Sequence, residues 1–209
     1  MFLRVVRQFT AVVALGAVFF GSVSANDPVV RIEEDWELTV KVPEQDVTAP
    51  QIITAFTPLA DLSGLHATFE INHIASAAFA AGGLHLTTWS GEAHLNTVHA
   101  GDYALMANAG EVVCWTQAME IENDQLIFEI INGTSTTWGN FGSEGSLRLE
   151  LASTLDDLSS YRPTVSIAKS EVNFSGNRVE ALSMKRIRYI RASGGVTTEN
   201  AQRYVHRAE

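Results

Sequence analysis

Apolar and polar residues alternate one by one along several stretches of this chain, and that rhythm decides its fold class. Trp36, Leu38, Val40 and Val42 alternate with Glu37, Thr39 and Lys41, and Leu65, Ala67, Phe69 and Ile71 alternate with His66, Thr68, Glu70 and Asn72. A period of two sends successive side chains to opposite faces, as in a strand with one face on a core and the other in water; a helix would need a period of about 3.6. Segments 51–57, 83–89, 111–120, 125–131, 146–152, 171–174 and 180–191 are further strand candidates. Residues 119–122 and 125–128 flank Asn123 and Asp124, two residues that tolerate positive φ, which predicts a β-hairpin. Helix signals are sparse. Ser153 with Asp156 three places on caps one or two turns over 153–158, and 74–81 admits a short turn before Gly82 and Gly83. About ten short strands with turns between them predict an all-β chain, a two-sheet antiparallel sandwich of jelly-roll type with one or two short helical turns.

The composition, 46% hydrophobic and 18% charged, is that of a globular chain, and the 209 residues suit a single core. Residues 1–25 read as a secretory signal. Arg4 and Arg7 give a positive start, Phe9 to Phe20 is apolar, and Val23-Ser24-Ala25 offers the small residues a signal peptidase accepts. That stretch is shorter than the roughly 20 residues needed to span a bilayer. The expected organisation is therefore a signal peptide over 1–25, one sandwich domain over 26–191 and a loose C-terminal tail over 192–209, with a secreted or otherwise extracytoplasmic location. The tail is expected because its apolar residues are few, chiefly Val196, Tyr204 and Val205. The single cysteine, Cys114, lies in an apolar run beside Val112, Val113 and Trp115, and excludes an internal disulfide scaffold.

Charge is uneven. Loss of Arg4 and Arg7 with the signal takes the net charge from -10 to -12, and between Val42 and Leu147 there are 12 acidic residues, five histidines and no Lys or Arg. This balance argues against nucleic acid, which requires a clustered basic excess. Lys185, Arg186, Arg188 and Arg191 near one end contrast with Glu33, Glu34, Asp35 and Glu37 near the other. The two segments are expected to pair, each exposed charge pair contributing roughly 0.2–1 kcal/mol. Leu182 and Met184 share one parity while Ile187 and Tyr189 take the other, so the frame slips at Lys185-Arg186, as at a β-bulge.

Five motifs carry a family resemblance: Glu33-Glu34-Asp35-Trp36-Glu37-Leu38, Phe69-Glu70-Ile71-Asn72-His73, Gly82-Gly83-Leu84-His85-Leu86, the run from Phe128 through Asn132-Gly133-Thr134 to Trp138-Gly139, and Asn177-Arg178-Val179. They resemble a family of secreted bacterial proteins of unassigned function with a concanavalin-like jelly-roll pattern. The resemblance implies the fold and carries no activity or site.

The most informative loop runs from 132 to 143. Trp138 and Phe141 lie there among small polar residues, with Asn132 and Asn140 beside them. A flat ring in a polar loop suits a sugar: the ring stacks on the apolar face of a pyranose while amides and hydroxyls read its OH groups. Trp138 is the expected platform, Phe141 the second ring, and Asn132 and Asn140 the polar contacts; the alternative is that Trp138 folds back as a plug. Asn132-Gly133-Thr134 and Asn173-Phe174-Ser175 match glycosylation sequons, frequent by chance. Glu120, Glu122 and Asp124 share a strand parity and loosely resemble the acid-bearing strand of jelly-roll β-glucanases, where hydrolysis needs two carboxyl groups roughly 5–9.5 Å apart. The Asn123-Asp124 turn takes Asp124 off that strand. Glu70 with His66 and Asn72 is a weaker polar set. The histidines show no metal-ligand spacing; His94 and His99 flank an expected loop, Leu95 to Val98. No metal or cofactor is expected, although Asn123-Asp124 or Asp156-Asp157 leave a structural calcium possible. No nucleophile elbow or phosphate loop is present. The reading is a secreted, non-catalytic β-sandwich that binds a polysaccharide or cell-surface glycan. Alternatives are a structural or protein-interaction module of the envelope or matrix, or a glycoside hydrolase or lyase. The sequence specifies no oligomeric state.

Overall fold

The structure, a computed structural model, describes residues 27–41, 50–72, 83–100, 110–137, 139–142, 145–173 and 178–208. Its strands form two antiparallel sheets packed as a sandwich. Strands β1 (Val29–Val40), β6 (Val112–Glu122), β7 (Gln125–Ser135), β8 (Gly139–Phe141), β9 (Arg148–Ala152), β11 (Val179–Arg191), β12 (Val196–Glu199) and β13 (Arg203–Arg207) make the larger sheet. Strands β10 (Glu171–Asn173), β2 (Gln51–Phe56), β3 (Leu65–Ile71), β4 (Leu84–Ser90) and β5 (Ala93–Ala100) make the smaller one, in that order. β1 pairs with β11 in the larger sheet and β2 with β10 in the smaller. The start and end of the domain thus cross together from one sheet to the other, the double-strand wrap a jelly roll requires. From β2 to β5 the chain is a simple meander.

The alternation read from the sequence is the packing. Ile32, Trp36, Leu38 and Val40 of β1 face inward with Val113, Trp115 and Met119 of β6, against Phe69, Leu84 and Leu86 of the smaller sheet, all buried. Trp36 and Trp115 are cross-strand partners whose rings lie parallel, 6.2 Å between centroids. The 119–128 hairpin forms, with Asn123 at φ 50° and Asp124 at φ 59°, the left-handed values its two-residue turn demands.

β11 carries the expected bulge. Asp35 pairs with Arg186 and Trp36 with Met184, so Lys185 is the extra residue that shifts the inward set from Met184 to Ile187. The expected charge pairing is also present: Lys185 meets Glu37 at 3.0 Å, Arg186 meets Asp35 at 2.5 Å, and Arg188 meets Glu33 at 2.9 Å.

Three expectations are corrected. Residues 153–158 are not helical; the helix, α1 (Pro163–Lys169), starts at Pro163, whose fixed φ suits a first turn. Leu95 to Val98 is not a loop but part of β5, whose side chains are mostly exposed. The tail over 192–209 is not loose along its length: β12 and β13 run back along β11 and pair with Ile187–Ile190 and Ala181–Met184. Both elements lie at sheet edges, where backbone pairing holds a strand without a buried face to mark it in sequence. The expected signal peptide and the 74–81 turn fall outside the described residues.

Candidate functional site

Asn132, Asn140 and Phe141, drawn from one loop by sequence, line one cleft of about 520 Å³ with Glu129, Ile131, Gly133 and Thr134. The cleft exists because β7 bulges there: Trp115 faces both Asn132 and Gly133, and Asn132 takes φ 53°. Asn132 and Asn140 are exposed. Phe141 is not the exposed ring expected. It is 4% exposed and lies nearly parallel to Phe69, 6.2 Å between centroids, as part of the core. Gly133 makes room for it, since a Cβ there would stand 2.3 Å from the Phe141 ring. Trp138 lies outside the described residues.

A second polar surface is the outer face of the smaller sheet. Register sets three cross-strand rows on β3, β4 and β5: His66–Trp89–His94, Thr68–Thr87–Thr97 and Glu70–His85–His99. β5 joins this face through a register shift at Leu95, which returns His94 to the side occupied by Thr97 and His99. Trp89 is half-buried and fixed in place. Its Nε1–H donates to Thr68 Oγ1 at 3.1 Å, its ring runs 13° from parallel to His66 at 6.5 Å, and His94 meets it edge-on at 5.4 Å. A face-to-face sandwich would sit much closer, so the His66 ring is offset from Trp89. His94 Nε2 lies 2.8 Å from Thr97 Oγ1, itself 3.0 Å from Thr87 Oγ1. Burial holds the His66 imidazole below its usual pKa, partly offset by its contact with the Gly64 carbonyl. The face therefore presents a half-buried, held indole beside the exposed His94, Thr97 and His99, with His66 and Thr87 buried beneath the surface. His94 and His99, the two ends of the expected loop, belong to different rows. The residue that sequence reasoning missed is Trp89, although its parity with His85 and Thr87 marks it as outward.

Acidic groups are arranged for structure. Glu120 pairs with Arg31, and Asp124 sits in the hairpin turn. Asp157, one of the possible calcium carboxylates, accepts the Ser159 N–H at 2.7 Å. Among the described residues no three His, Cys, Asp or Glu side chains converge on one point. The unexpected carboxylate is Glu34, 1% exposed inside the sandwich. It shares the inward parity of Ile32 and Trp36. One oxygen accepts from Tyr161 OH at 2.7 Å and Ser166 OH at 2.6 Å, and the other from Trp36 Nε1 at 2.9 Å and from the Gln117 amide. Gln117 in turn accepts from Thr54 in the opposite sheet at 2.8 Å, so the network ties both sheets and α1 together. Desolvation pushes the Glu34 carboxyl above its usual pKa despite four donors that favour the charged form. Cys114 is half-buried, and its thiol is raised by burial first and by the nearby Glu37 charge second.

Comparison with protein-family models and with curated proteins returns no match.

Proposed function

We propose that the chain is an exported, non-catalytic β-sandwich that binds a polysaccharide or cell-surface glycan on the outer face of its smaller sheet. The observation that carries this reading is Trp89: a half-buried indole held by a hydrogen bond from its own nitrogen to Thr68, beside the exposed Thr97 and His94. A pyranose stacks its C–H face on such a ring, and its equatorial hydroxyls meet hydroxyls and imidazoles one strand away, about 4.8 Å distant. Neutral sugars suit the face better than polyanions, since neither Lys nor Arg occurs between residues 42 and 147. The signal-like pattern of residues 1–25 and the resemblance to secreted proteins support the location. Asn132 and Asn140, with Trp138 in the same loop, are the second candidate contact.

A glycan array on the purified protein tests this, with Trp89→Ala and an Asn132→Ala/Asn140→Ala double variant alongside. Binding by the wild type that falls at least tenfold in Trp89→Ala and survives in the double variant is the expected result. The reverse pattern moves the site to the β7–β8 cleft, and no binding by the wild type removes the reading.

A further inference from the structure

At one end of the sandwich, the β2–β3 loop of the smaller sheet meets the β6–β7 turn and the segment after β9 of the larger sheet. Together they enclose a cleft of about 540 Å³, within the roughly 300–1,000 Å³ of small-ligand pockets. Pro58, Leu59, Leu65 and Leu155 give it an apolar lining, and Asp124 and Gln125 of the turn add polar groups. Each wall is fixed by its own hydrogen bonds. In the β2–β3 loop the buried Thr57 hydroxyl accepts the Leu59 N–H at 3.1 Å and donates to the Asp61 carbonyl at 3.1 Å. Across the cleft the Ser153 N–H donates to the Asp124 carbonyl at 3.0 Å, and the Leu155 N–H to Ser153 Oγ at 3.1 Å. The cleft is therefore preformed, so a guest does not have to order it. Leu59, Leu65 and Leu155 are only half-buried, and an apolar guest would complete their burial.

Charge selects the guest. Asp124 is exposed at the rim, and among the described residues no hydrogen bond or ion pair occupies its carboxylate. Asp61 and Asp156 stand on the adjoining segments, and no Lys or Arg lines the cleft. A cleft with apolar walls and one sign of charge concentrates ligands of the opposite sign. We propose that this cleft binds a small organic cation with an apolar body, a primary alkylamine. The chain lies against Leu59, Leu65 and Leu155, and the ammonium donates to the Asp124 carboxylate. These side chains are not those of the glycan face, so the site holds or falls independently of that reading.

Backbone-amide NMR titration of the purified protein with n-hexylamine at neutral pH tests it. Comparison probes are n-butylamine, 1-hexanol and hexanoate, and the variants are Asp124→Asn and Leu155→Gln. Asn accepts the positive φ of the turn, so Asp124→Asn keeps the hairpin. The expected result is a saturable shift at residues 58–65, 124–125 and 152–155 with hexylamine. Butylamine and hexanol should bind at least threefold more weakly, and hexanoate not at all. Asp124→Asn should weaken hexylamine at least threefold and leave hexanol unchanged, whereas Leu155→Gln should weaken both. No saturable shift at these residues, equal affinity for hexylamine and hexanol, or unaltered hexylamine affinity in Asp124→Asn overturns the proposal.

Discussion

Replacing Glu34 separates the cost of its charge from the worth of its hydrogen bonds. In Glu34→Ala the two nitrogen donors, Trp36 Nε1 and the Gln117 amide, lose their acceptor inside the sandwich, whereas the Tyr161 and Ser166 hydroxyls are free to turn. Each buried donor left unsatisfied costs about 1–3 kcal/mol, and disruption of a buried charged network typically costs about 3–5 kcal/mol in all. Against a total stability of about 5–15 kcal/mol, this loss is large. Glu34→Gln behaves differently. Its oxygen can keep the two nitrogen donors while its NH₂ donates to the two hydroxyls, each of which also accepts. The network survives and the buried charge is gone, so Glu34→Gln should be neutral to about 2 kcal/mol more stable at pH 8. The pH dependence has a definite sign. Because the folded-state pKa is raised, the stability linked to Glu34 is fully present below its unfolded pKa and is lost as pH rises through the folded value. Urea unfolding of wild type and Glu34→Gln between pH 4 and pH 8 reads the difference. The advantage of Glu34→Gln should grow with pH and vanish at the acid end. A Glu34→Gln protein more than 2 kcal/mol weaker than wild type at pH 8 would refute the reasoning, because the charge would then be worth more than its desolvation costs.

Other outcomes follow from the same structure. Gly133→Ala drives a methyl group into the Phe141 ring and should cost about 1–3 kcal/mol in denaturant unfolding. A double-mutant cycle between Asp35 and Arg186 should give a coupling below about 1 kcal/mol that shrinks in 1 M salt, since Arg186 is largely exposed. The Cys114 thiol should react with a disulfide reagent more slowly at pH 8 than a free cysteine and regain rate as pH rises, because its pKa is raised. Export with cleavage after Ala25 predicts that, when the full sequence is expressed in a secreting host, mass spectrometry of the extracytoplasmic fraction finds a chain that begins at Asn26.

The two-sheet sandwich was legible because its central strands have one wet face. Trp36 to Val40 and Leu65 to Asn72 state their parity residue by residue, and the parity slip at Lys185 located the bulge. The opposite charges of β1 and β11 likewise announced their pairing. What stayed hidden lies at edges and in the interior. β5, β12 and β13 have few buried side chains, so they leave no alternation to read even though their backbones pair. With Leu95 to Val98 read as a loop, the rows that put Thr97 and His99 beside Thr87 and His85 are invisible in the sequence, and Trp89 gains no neighbours. Glu34 sat in plain parity with Ile32 and Trp36, yet a run of acids reads as a solvated face until four donors are seen around one of them. Phe141 reversed its expected role for a local reason: the bulge at Asn132 and the missing side chain of Gly133 open a seat for its ring in the core.

The central claim is that Trp89 is the stacking platform of a glycan site on the smaller sheet. Tryptophan fluorescence and calorimetric titration with the best glycan from the array, run on wild type and on Trp89→Phe and Trp89→Ala, test it most directly. Retained but weaker binding in Trp89→Phe, with a loss of at least tenfold in Trp89→Ala, is the predicted result. Equal affinity in all three proteins would contradict the claim.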